Sequence, residues 1–444
     1  MLLTLSRADA RSISADRRNA VRPRPARSAF AAALLACALL LSGALAARAD
    51  KAWVQLFDGK TLDGWVRVGP GDYFVRDGLL ICPDNSGQNL FTKQEYSDFK
   101  FKFDFKLSKQ ANNGVGIRAP LIGDAAYMGM ECQILDDYDP RYASLEPGQY
   151  CCSLYKIVPA KRGALHHAGQ WNHEEITAVG RKVKVVLNGV AVVDTDLNKV
   201  TDPHTLYDHP GMLRERGHLG FLGHEPTECE FKNIYVMDLS RPQKDNTPPP
   251  GFTALFDGKT MKGWKGLVAD PPRRAVMPAA ELADATQKAT VEALKHWKAV
   301  NGEIVYDGKN NNLCTAKDYG DFEMMVDWKI GPHGDSGIYL RGSPQVQIWE
   351  NPRGSGGLYN NEKNPCDPTV VVDNPIGQWN HYDILMVGDK VTVYFNGVLV
   401  TNHVTLENYW ERSKPIYPVG QIELQHHGDA LWFKNIYIRE LPRQ

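Results

Sequence analysis

The chain has 444 residues, with 51 Lys and Arg against 52 Asp and Glu, for a formal net charge of −1. That balance offers no basic surface to nucleic acid, and the length exceeds one ordinary domain and points to two. Without residues 1–49, which hold eight Arg and two Asp, 43 basic residues face 50 acidic ones.

The first element in the chain reads as an export signal. Arg7 to Arg27 form a basic leader, Ala29 to Ala47 a small and apolar run, and Ala47-Arg48-Ala49 fits the small-x-small cleavage rule. Cleavage after Ala49 would leave a periplasmic or extracellular chain. The run is too short and Ala-rich for a membrane span. The apolar residues after Cys37 argue against a lipoprotein box. Seven cysteines follow Cys37, with no CxxC or paired CxxH spacing for zinc. The adjacent Cys151 and Cys152 are expected to be buried or separately paired thiols.

From Leu56 onward the chain is written twice. LFDGKTLDGW opens at Leu56 and LFDGKTMKGW at Leu255; NLFTKQEYSDFKFKFDFKL (Asn89–Leu107) is answered by NLCTAKDYGDFEMMVDWKI (Asn312–Ile330). NNGVGIR ends at Arg118 and DSGIYLR at Arg341, ECQILDD starts at Glu131 and QVQIWEN at Gln345. GQWNH occurs at Gly169 and Gly377, and FKNIY at Phe231 and Phe433. The order of the matches predicts two domains, at 50–239 and 252–444, joined by the Pro-rich linker Ser240–Gly251, where consecutive prolines bar a helix or a central strand. Met277–Trp297 interrupts the second copy, and its composition and spacing predict one amphipathic helix.

Within each copy the period is two. FKFKFDFKL alternates aromatic and polar residues, and Asn188-Gly189 and Asn396-Gly397 each separate two apolar runs, a strong hairpin signal. Short strands, Gly-rich turns and little helix predict an all-β fold of two tandem antiparallel β-sandwiches.

These motifs together, the opening LFDGKT-x-x-GW, GIYLR, QI, WN, NG, H and the closing FKNI, resemble the 3-keto-disaccharide hydrolase family over nearly all of the chain after residue 49, twice. The resemblance implies a concanavalin A-like jelly roll, an exported carbohydrate-active enzyme, and a glycoside already oxidised at C3 by a separate glycoside 3-dehydrogenase. A C3 ketone acidifies the C2 proton. A base can then remove it, the enolate can expel the C1 aglycone, and water can add back; direct hydrolysis is the other route, and a non-catalytic glycan-binding sandwich the alternative function. Elimination needs a base near C2, an acid near the glycosidic oxygen, and donors or a metal facing O3.

Candidate groups follow from the repeated positions. Arg118 and Arg341 each end an apolar strand, and either bind substrate or satisfy an acidic neighbour. Glu131, Gln133, Gln347 and Glu350 supply carboxylates and amides one strand further on. His224 and His426 each lie seven residues before an FKNIY phenylalanine and suit proton transfer. Asp136, with Asp137 and Asp139, forms either a solvated loop or a site for a divalent cation such as calcium. Tyr155 and Tyr359 could contact a sugar, and Gln425 belongs to the Gln-x-His-Gly ending. The opening motif and FKNIY are expected to be structural. Because the second copy keeps that ending while the first keeps the acid Glu131, the copies are expected to differ, with the second as the catalyst. Convergence is predicted within each set, Arg118, Glu131, Gln133 and His224 on one face, and Arg341, Gln347, Glu350 and His426 on another.

Overall fold

The computed structural model describes residues 52–83, 88–224 and 228–443; the expected export signal lies outside them. Among the described residues, no helix is long and apolar enough to cross a membrane. Four antiparallel sheets form two pairs, each pair one eight-stranded and one five-stranded sheet.

In the first copy the large sheet holds the strands Phe99–Leu107, Trp171–Val179 and Cys229–Asp238 at its centre, and the small sheet runs Trp65–Val68, Asn89–Tyr96, Gly217–Gly223, Asn112–Ala119, Met130–Leu135. The second copy repeats this order, its small sheet running Trp264–Gly266, Leu313–Thr315, Glu423–Leu424, Asp335–Leu340, Ser343–Trp349. Alternation explains the layers. Phe99, Phe101, Phe103 and Phe105 are fully buried between the sheets while the intervening residues face outward. Trp328, Ile330, Phe433 and Leu424 belong to the matching core of the second copy.

The recognisable motifs hold the scaffold. Trp65 Nε1 donates to Leu56 O (2.8 Å) and Trp264 Nε1 to Leu255 O (2.7 Å), so LFDGKT-x-x-GW is a loop clasped by its own indole. Asn188 and Gly189 take φ of +49° and +82°, as do Asn396 and Gly397 at +49° and +80°, the tight hairpin that Asn-Gly favours. Asn172 Oδ1 accepts from Asn188 Nδ2 and Asn380 Oδ1 from Asn396 Nδ2, both at 2.8 Å, which assigns the WN pair to anchoring that hairpin.

The helix predicted over 277–297 forms at Ala279–His296, and a short helix at Pro271–Val276 precedes it. Gly266 lets the longer one approach, since a Cβ there would lie 2.2 Å from Ala289 O.

The two copies share a buried polar contact. Arg181 of the first meets Glu323 of the second, whose Oε2 also accepts from Arg439 Nη2 (2.6 Å). Around it, Arg214 Nη1 donates to Gly397 O (2.8 Å), Tyr207 stacks on His403 with ring centroids 3.8 Å apart, and Leu385, Val387 and Tyr394 join the first copy's apolar core.

Candidate active site

The exposed face of each small sheet is where chemistry can gather, because alternate residues of adjacent strands project there together. In the second copy, Asp335, Gly337 and Tyr339 share a face with Gln345, Gln347 and, on the next strand, Glu423. Tyr359, Asn360, Tyr409, Trp410, Gln425 and His427 close a cleft of about 370 Å³ over them.

Its floor is a chain of amides and acids. Gln345 Nε2 donates to Gln347 Oε1, and Gln347 Nε2 to Asp335 Oδ1 (2.9 Å). His427 Nδ1 stands 3.7 Å from Asp335 Oδ2. Burial pushes the Asp335 carboxyl up from the usual range, with His427 opposing the shift. Gly337 makes room for this ladder, as a Cβ there would lie 2.5 Å from Gln345 Cδ. At the other end Gln425 Nε2 donates to Tyr339 OH (3.3 Å). The walls are aromatic. Trp410 Nε1 is fixed on Gly342 O (2.7 Å), and Tyr409 packs edge-on against Trp410.

Glu423 pairs with Tyr339 across adjacent strands and is 1% exposed, with Oε2 accepting from Asn312 Nδ2 (3.0 Å) and Oε1 3.8 Å from Arg274 Nη2. Burial raises its pKa to about 7. Since an unfolded glutamate titrates near pH ~4.3, the folded chain holds a proton between these values that the unfolded chain has lost. Stability should therefore fall as pH rises from about 4.3 to about 7 and level off above, by on the order of 1–3 kcal/mol. Melting curves at pH ~5.5 and ~8 should show this slope weakened in Glu423→Gln; an unchanged slope would refute the assignment.

In the first copy, Glu131, Gln133 and His224 do come together. His224 Nε2 is 3.1 Å from Glu131 Oε1, and Gln133 donates to the same oxygen (3.2 Å) in the amide orientation that satisfies both of its ends. Burial opposes the His224 charge, but the bond to Glu131 and that carboxylate's field outweigh it and raise the pKa. Elsewhere this face differs from its counterpart. Gly116 and Gly220 stand where the second copy has Tyr339 and Glu423, and a Cβ on either would lie within 2.8 Å of the Phe91 ring. Phe91 thus fills the part of the face that in the second copy is lined by polar groups.

The predicted convergence fails for four residues. Arg118 and Arg341 are turned away by positive φ, +50° and +54°. Arg118 donates to Ser97 O and Arg214 O, and Arg341 to Gly320 O, Gly388 O and Asp321. Burial lowers both pKa values, that of Arg118 to about 10. Both guanidiniums tie loops at the sheet ends; Arg341 lines a separate cavity of about 510 Å³ with Asp318 and Tyr417 and does not join Gln347 in the cleft. Glu350 lies past its strand, accepts from His333 N, and lines a separate cavity of about 490 Å³ with Trp349, Asp373 and Asn374. His426 is set against the core, its Nδ1 bonded to Tyr306 OH, and burial lowers its pKa.

The strand registers explain the histidine error. Val115 pairs with Phe221, and its counterpart Ile338 with Leu424. His224 therefore answers His427, and the loop before the closing strand is one residue longer in the first copy. Counting back from FKNIY shifts the match by one, and one residue along a strand exchanges its faces.

Among the remaining predicted residues, Gln347, Tyr359 and Gln425 line the second cleft. Tyr155 holds the place of Tyr359 in the first copy, its OH accepting from Gln149 Nε2 (3.2 Å). Asp136, Asp137 and Asp139 accept separate backbone N–H groups, of Gln110, Cys151 and Arg141. Sequence reasoning missed Asp335, Tyr339, Glu423, Tyr409 and Trp410. Parity along DSGIYL would have placed Asp335 and Tyr339 beside the glutamines.

A model of the 3-keto-alpha-glucoside-1,2-lyase-like domain matches residues 52–237 and again 251–439. A protein of Bacteroides thetaiotaomicron named 3-keto-disaccharide hydrolase is 24% identical over 279 residues, covering 50% of this chain and 91% of its own. A solved structure from Parabacteroides distasonis, assigned to the glycosyl hydrolases, is 26% identical with a TM-score of 0.37, covering 42% of this chain and 100% of that one. The carbohydrate-binding module CBM66 of Bacillus subtilis is 14% identical with a TM-score of 0.27, covering 39% of this chain and 96% of its own.

Proposed function

Because the chain belongs to the 3-keto-alpha-glucoside-1,2-lyase-like family in both of its copies, and is a carbohydrate-active enzyme of the glycoside hydrolase type, we propose that its second-copy cleft cleaves 3-keto-glycosides. The observation that carries this reading is the His427–Asp335 pair in a cleft with three glutamine amides and fixed aromatic walls. Exposed Tyr359, Tyr409 and Trp410 suit stacking on a sugar ring.

In this reading neutral His427 takes the C2 proton, with Asp335 stabilising the imidazolium. Gln345 and Gln347 donate to O3 as the enolate forms. Tyr339 protonates the glycosidic oxygen, the C1–O bond breaks, and the aglycone leaves as an alcohol. Water then adds across C1 and C2, its hydroxyl to C1 and a proton to C2, regenerating the 3-keto sugar. A positioned acid or base contributes about 10²–10⁴-fold each. The first copy, with Phe91 across its face, supports or binds glycan. A separate glycoside 3-dehydrogenase would supply the ketone, and residues 1–49 would direct export.

The test is incubation with a 3-keto-glucoside and with its unoxidised parent. Aglycone release from the keto compound alone is expected. Equal release from both would point to ordinary glycosidase chemistry, and binding without release from either would leave a glycan-binding protein.

A further inference from the structure

Among the described residues, one group of three metal-ligating side chains comes together, and it lies in the first copy's core, away from both sheet faces described above. Cys132, Cys152 and Glu174, all buried, each offer a ligand atom within 4.8 Å of the others. Cys132 projects from its strand opposite to Glu131 and Gln133, hence into the sandwich. Glu174 arrives from the facing sheet and Cys152 from the turn after Tyr150. Cys132 Sγ lies 3.1 Å from Glu174 Oε1, while Glu174 Oε2, in a residue with 0% exposure, has no hydrogen-bond partner.

The second copy shows that the fold does not need these groups. The bridges Cys132 to Leu154 and Val346 to Leu358 match Cys132 with Val346 and Cys152 with Gly356, and the two WNH segments match Glu174 with Tyr382. There the core is closed by an apolar side chain, a glycine, and a tyrosine whose OH is satisfied by Gln347 O (2.5 Å). A buried carboxyl with an orphaned oxygen is costly unless something compensates it.

We propose that Cys132, Cys152 and Glu174 hold one divalent transition-metal cation of the zinc class in the core of the first copy. Two thiolates and a carboxylate oxygen are ligands zinc accepts. The cation replaces the two thiol protons and any proton on the carboxyl, which pass to water, and no electron moves. Three protein ligands leave one position, and a further sulfur, Cys151 Sγ, lies 4.0 Å from Cys152 Sγ.

The test uses the full chain purified without chelator, with metal per chain measured by elemental analysis and cobalt(II) substitution read by its sulfur-to-metal charge-transfer band. One equivalent is expected in the wild type. It should be lost in Glu174→Gln and in Cys132→Val, which carries the second copy's residue, and kept in Cys314→Val, with circular dichroism reporting the fold. No stoichiometric metal after zinc addition would overturn the proposal. So would metal retained by both ligand variants, or an intact mass two hydrogens lighter from a Cys132–Cys152 disulfide.

Discussion

Replacing His427 by Ala should lower kcat/KM on a 3-keto-glucoside by about 10²–10⁴-fold, the contribution of one positioned proton-transfer group. Replacing His426 should change it by less than about tenfold. The two residues are neighbours in sequence but occupy opposite faces, His427 at 3.7 Å from Asp335 in the cleft and His426 on Tyr306 of the core. His426→Ala would instead cost stability, by removing a partner from a buried hydroxyl. His224→Ala is the third arm. Its partner Glu131 is 2% exposed, and the face beside it is filled by Phe91. A loss confined to His427 assigns catalysis to the second copy. Equal losses from His427 and His224 would mean two working sites, and a loss from His426 alone would restore the match counted from FKNIY.

The largest stability effect is expected at the contact between copies. Glu323 is fully buried, and Arg181 and Arg439 converge on it, with Asp383 3.6 Å from Arg181. Burial opposes Glu323 ionisation, yet the two guanidiniums outweigh it and hold its pKa low. Asp383 goes the other way, raised by burial and then by the Glu323 charge, so it stays protonated beside its ionised neighbour. Breaking a buried ion pair by removing one partner costs about 3–5 kcal/mol. Glu323→Gln alone should lose less, because Asp383 can ionise in its place. The double variant Glu323→Gln/Asp383→Asn should therefore lose more than the sum of the two single variants, in urea unfolding. Additive losses would show that Asp383 does not take over the charge.

How far the sequence could be read depended on whether a signal was local. Phe99 to Leu107 announces a half-buried strand by its own alternation, and Asn188-Gly189 announces a hairpin by backbone preference alone, so the sheets were legible. Glu131, Gln133 and Gln347 were found because ECQILDD and QVQIWEN hold matching positions in the two copies. Arg118 and Arg341 were misplaced although they also match, since a positive φ at each strand end turns the side chain away from the face its neighbours share. His427 was missed because a loop one residue longer in the first copy shifts the count between copies. Glu423 and the Cys132–Cys152–Glu174 group were out of reach for a different reason. Their meaning comes from residues on other strands and in the facing sheet, and no spacing in the chain records that contact.

The most direct test of the account is to run the reaction on a 3-keto-glucoside in deuterated water and locate the label in the released sugar at early times, against free product held alone in the same solvent. Removal of the C2 proton followed by hydration predicts one deuterium at C2, formed at the rate of aglycone release. Release at full rate with hydrogen retained at C2 would contradict it, and would mean that water displaces the aglycone without an enolate.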